Sequence, residues 1–70
     1  MPAPLQEPVP NWTKLRRGDR VAVSKNGTLL ASGIVDMVAL DGSVFWLNQD
    51  GVAGRSLLLY ADKLTVLKRP

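Results

Sequence analysis

Three dipeptides divide this chain before any other feature is weighed: Asn26-Gly27, Asp41-Gly42 and Asp50-Gly51. A tight hairpin turn of type I′ needs positive φ at both central residues, and Asn-Gly or Asp-Gly supplies it at least steric cost. Gly18-Asp19 adds a further turn signal. The intervals between these turns read in period two, which is strand patterning.

In residues 20–24, the β-branched Val21 and Val23 share a face. Residues 28–40 form a second expected strand, too long to stay straight, and Ser32-Gly33 is where a bulge or sharp bend is expected. Residues 43–48 make a third, with Val44 and Trp46 on one face and Phe45 and Leu47 on the other. Both faces are apolar, so this strand is either central or exposes an adhesive surface. Residues 52–54 continue irregularly and residues 55–60 read as a fourth strand. Residues 61–63 suit a single 3₁₀ turn, and residues 64–67 a short fifth strand.

Ahead of this unit stand Pro2, Pro4, Pro8 and Pro10. Proline fixes φ and lacks a backbone donor, which rules out a helix or a central strand there. Residues 1–11 are therefore expected to be an extended or disordered proline-rich tail, a spacer or arm, with the folded domain spanning 12–70. No two of these prolines are three apart, so the PxxP ligand pattern is absent. Trp12 and Leu15, three apart, are expected to cover the core as one helical turn or an extended anchor.

Seventy residues allow one domain, and a chain this short buries only about 60% of the surface it exposes when unfolded. It has no cysteine and no histidine. Disulfides, thiolate metal sites, cysteine nucleophiles and the commonest proton carrier are thereby excluded together. The N-terminal residues lack the basic and apolar regions of a secretory signal, and the longest apolar run, residues 57–61, falls far short of a membrane span. A cytoplasmic location without membrane contact is expected.

The charge is segregated. Residues 1–30 carry Lys14, Arg16, Arg17, Arg20 and Lys25 against Glu7 and Asp19, a net +3. Residues 31–54 carry only Asp36, Asp41 and Asp50, net −3, and residues 55–70 return to +3 through Arg55, Lys63, Lys68 and Arg69 against Asp62. If the first and last strands are neighbours, the two basic segments merge into one patch. Ordinary solubilising charge is the competing explanation.

Short strands, hairpin turns, one bent long strand and a 3₁₀ turn before the last strand describe a small barrel. Residues 17–23, opening on Arg17-Gly18-Asp19-Arg20, then Gly33-Ile34-Val35, Phe45-Trp46-Leu47 and Leu64-Thr65-Val66, resemble SH3-like barrels of the KOW and Tudor type over residues 16–67. The chain as a whole also resembles small accessory proteins of actinobacterial phages. The first resemblance implies an all-β, five-stranded SH3-like barrel whose first and last strands lie side by side. It also implies nucleic-acid or peptide binding through loops and aromatic side chains. A methyl-lysine cage is not expected, because such a cage needs several converging rings and the chain has four aromatics in all.

Two functions follow. Arg16, Arg17, Arg20, Lys25, Lys63, Lys68 and Arg69 would bind nucleic acid weakly and without sequence preference, through phosphates. Phe45, Trp46 and Tyr60 are the rings available for base stacking unless the core claims them. Alternatively, the 46% hydrophobic content points to an apolar strip, with Val44, Trp46, Leu57 and Leu59 at its centre and Leu29-Leu30 beside it. That strip would bind a protein partner, a second copy, or a larger phage-type assembly. Strand curvature that buries these residues is the competing explanation. Catalysis is not expected. Asp19, Asp41 and Asp50 sit in turn contexts, Asp36 is a lone acid on an apolar strand, and Gly51 and Gly54 lack the spacing and lysine of a phosphate loop. No cofactor or metal is expected.

Overall fold

Asn26 and Gly27 have φ of 52° and 80°, the two positive values a type I′ turn requires. They join β2 (Arg20–Lys25) to β3 (Thr28–Val38) in a hairpin that closes on the Lys25–Thr28 pair. The computed structural model describes residues 7–69. Its remaining strands are β1 (Glu7–Pro8), β4 (Val44–Gln49), β5 (Arg55–Leu59) and β6 (Thr65–Lys68). All six form one open antiparallel sheet in the order β1-β6-β2-β3-β4-β5. Single 3₁₀ turns occupy Trp12–Lys14 and Tyr60–Asp62.

Six strands replace the expected five. The extra one lies in the segment expected to be a tail: Glu7 pairs with Lys68 and Pro8 with Leu67, and Val9 N–H donates to Val66 O at 2.9 Å. Proline is tolerated because β1 is the sheet's edge, where a missing donor leaves no ladder bond unmade. Residues 9–11 of the expected tail lead from β1 into the first 3₁₀ turn, which Asn11 caps, and residues 1–6 lie outside the described residues.

Expected and observed strand limits differ by a residue or two, but the bend in β3 is built differently. Register shifts leave Leu30 and Asp36 as unpaired extra residues, flanking Ser32-Gly33 on both sides. Gly33 itself is regularly paired, with Val21 on one side and Gln49 on the other. Its role is close approach: a Cβ there would overlap the Asn48 carbonyl. With a bulge at each end, the first half of β3 pairs with β2 and the second half with β4. The turn at Asp41-Gly42 is also wider than a two-residue hairpin. Ala39 N–H donates to Val44 O, and only Gly42, at φ 73°, is left-handed.

The core comprises Trp12, Leu15, Val21, Val23, Ala31, Val35, Phe45, Leu47 and Val66. Within it Trp12 packs edge-on to Phe45 at 4.8 Å and to Tyr60 at 5.2 Å between ring centroids. The Asn11 side chain holds the 3₁₀ turn that delivers Trp12, accepting from Thr13 N at 3.0 Å and from Thr13 Oγ1 at 2.7 Å.

Candidate functional site

Alternation along β4 turns Phe45 and Leu47 into the core, both fully buried, and leaves Val44 and Trp46 half-buried on the outer face. The pairing of β4 with β5 places Val44 opposite Leu59 and Trp46 opposite Leu57. Directly opposed residues share a face with Cβ atoms roughly 5 Å apart, so the four residues form one cluster. Leu57 is 52% exposed and Leu59 40%. Met37, 55% exposed, extends the cluster, because the bulge at Asp36 brings it opposite Trp46. Sequence patterning missed Met37: strict alternation from Val35 would have turned it inward. Leu29 and Leu30 are also exposed, but they belong to the β2–β3 hairpin and not to this cluster.

The same bulge accounts for Asp36. Its carboxylate accepts from Arg55 Nη1 at 2.8 Å and from Asn48 Nδ2 at 3.4 Å. Arg16 and Arg17 line a shallow groove with Asp36, Met37 and Arg55. One end of the apolar cluster is thus bordered by charge.

The first and last long strands are neighbours, as the resemblance implies. β2 pairs with β6 from Val21–Lys68 to Ser24–Thr65, and Arg69 N–H donates to Arg20 O at 2.9 Å. The seven candidate cations do not, however, form a single patch. Arg20, Lys68 and Arg69 gather at one end of this strand pair, next to the Arg16–Asp19 turn. Lys25 and Lys63 belong to the other end, five or more residues along the strands and so about 17 Å away at the rise of a strand.

Carboxylates also occupy two of the seven. Arg20 Nη1 meets Asp50 Oδ2 at 2.8 Å, and Lys68 Nζ meets Asp19 Oδ2 at 3.7 Å. Among the described residues, Arg16, Arg17, Lys25, Lys63 and Arg69 form no salt bridge. The hydrogen bond from Arg20 holds the Asp50 carboxyl below the usual carboxylate range, and the same bond raises Arg20. Of the rings considered for stacking, Phe45 is wholly buried and cannot meet a base, and Tyr60 packs on Trp12. Tyr60 nevertheless stays 51% exposed, and Trp46 is half-buried on the outer face of β4, so these two rings remain accessible.

Among the described residues no cluster of three or more acidic side chains is placed to hold a metal ion. None of their helices is long and apolar enough to cross a membrane. No protein-family model, curated protein or solved structure matches the chain.

Proposed function

We propose that this chain is an SH3-like small barrel acting as a non-enzymatic module that docks a protein partner on the outer face of β4 and β5. The barrel assignment is supported by the long, doubly bulged β3 shared between two halves of the sheet, by β6 lying beside β2, and by the 3₁₀ turn before β6. The single observation carrying the function is the pair of cross-strand contacts Val44–Leu59 and Trp46–Leu57, which gather exposed apolar side chains instead of scattering them. A small accessory subunit seated on a larger assembly is one setting for such a surface.

Site-directed photo-crosslinking tests this reading. A photoreactive residue at position 57 should capture one protein species in the native host, and one at position 25 should not. Trp46→Ser should abolish the capture. Equal, diffuse labelling from both positions would refute it.

The Arg20–Arg69 backbone bond favours a second reading, phosphate binding at the basic end by Arg16, Arg17, Arg20, Lys68 and Arg69. Each phosphate contact steepens the dependence of affinity on salt by roughly one log unit per log unit. Titration of a labelled oligonucleotide at two salt concentrations should then show Arg69→Ala reducing both affinity and slope, with Lys25→Ala changing neither. No binding at low salt removes this reading.

A further inference from the structure

Residues of an antiparallel strand point their backbone groups alternately toward the partner strand and away from it. On β5 the phase is fixed by Tyr60 N–H, which donates to Ser43 O at 2.8 Å. Ser56 and Leu58 therefore face β4, and the N–H and C=O groups of Arg55, Leu57 and Leu59 face outward. β5 is the last strand of the sheet, and among the described residues these outward groups have no backbone partner.

Natural sheets protect such edges with proline, lysine, bulges or very short strands. β1 at the opposite edge has two residues, one of them Pro8. β5, Arg-Ser-Leu-Leu-Leu, has none of these devices within it, and a single charge at its start.

We propose that the β5 edge pairs antiparallel with β5 of a second copy, around a two-fold axis at Leu57. That register sets Leu57 against its own copy and Arg55 against Leu59 of the other chain. Each of these pairs exchanges both N–H and C=O groups. No like charges meet across the seam, and each Arg55 is held in place by Asp36 of its own chain at 2.8 Å. A strand edge pairing with itself is an isologous contact, so it closes at two copies. Joining the edges also makes the two outer apolar clusters continuous. A five-residue seam is small beside the roughly 1,200 Å² of a standard interface, so the dimer is weak and concentration-dependent. The inference goes beyond the proposed docking face because it uses backbone groups at an edge, and either can fail alone.

Sedimentation velocity over a concentration series, combined with amide hydrogen exchange, tests it. The average mass should rise toward a dimer. The amides of Arg55, Leu57 and Leu59 should slow in step, with those of Ser56 and Leu58 unchanged. Leu59→Lys sets like charges opposite Arg55 of the copy and should weaken the dimer about tenfold. Leu59→Glu sets a carboxylate there and should leave the dissociation constant within about threefold. Equal weakening by both variants would indicate association through the apolar faces and overturn the edge pairing. A monomer at every concentration would overturn it, as would a dimer whose outward amides still exchange freely.

Discussion

Gly33 lies against the main chain of Asn48 so closely that no side chain fits between β3 and β4 at that point. The contact sits midway along β3, where pairing passes from β2 to β4. Gly33→Ala would drive a methyl group into a carbonyl that has no rotamer by which to retreat. We expect a loss of about 3 kcal/mol, the upper end of overpacking costs, read as a lower denaturation midpoint at unchanged slope. Unaltered stability would show that the two strands part easily.

This position also shows where sequence stops being legible. The glycine signalled a special backbone, but close approach and bulging give the same signature in one chain, and only the register separates them. The bulges fell at Leu30 and Asp36, and neither residue type announces one. β1 was hidden because proline excludes a central strand yet is accepted on an edge. The Asn26-Gly27 turn and the inward face of β2 were legible, because local sterics and alternation decide them. β4 is apolar on both faces, and alternation alone does not say that Phe45 and Leu47 are the buried pair. For the candidate surfaces, Val44, Trp46, Leu57 and Leu59 were legible as one apolar strip. Met37, turned outward by the bulge, was missed, and Leu29-Leu30, joined to the strip by sequence, lie on the β2–β3 hairpin. The neutralisation of Arg20 by Asp50, thirty residues away, was not legible.

The two tryptophans should separate cleanly. Trp12 is buried among Phe45, Tyr60 and the strand side chains, so Trp12→Ala leaves a cavity and should cost about 3–5 kcal/mol. Trp46 is half-buried on the outer face, and Trp46→Ala should cost under about 2 kcal/mol. Chemical denaturation of both variants measures the difference, and similar losses would contradict the assignment of faces.

Acid should destabilise the fold through two turn carboxylates. Asp41 is held below its ordinary range by the Ser43 hydroxyl at 2.7 Å and then by the Ser43 backbone N–H at 3.0 Å, and Asp50 by Arg20. A carboxyl depressed in the folded state takes up protons more readily once the chain unfolds. Its contribution is complete above the unfolded value, about 3.9, and is lost as pH falls through the folded one. Stability should be level from neutral pH to about 5 and decline below about 4. Asp41→Asn and Arg20→Gln should each flatten that decline in equilibrium unfolding measured against pH. An acid limb identical to that of the unsubstituted protein would deny the two contacts any role.

Lys63 ends the second 3₁₀ turn at φ 56° and ψ 46°, a left-handed conformation that costs an L-residue about 1 kcal/mol or more. Its N–H donates to Tyr60 O at 3.1 Å, so the conformation is fixed by the turn that leads into β6. Asparagine tolerates this region better than lysine does. Lys63→Asn should therefore stabilise the fold by a few tenths to about 1 kcal/mol, raising Tm by up to roughly 4–8 °C in a domain of this size. The substitution also removes a cation at the end of the β2–β6 pair opposite Arg69. If phosphates bind at the basic end, oligonucleotide affinity should stay the same while Tm rises. A fall in Tm would show that the lysine side chain contributes more through its contacts than the backbone loses in strain, and a parallel loss of affinity would reunite the two groups of cations that the strand register separates.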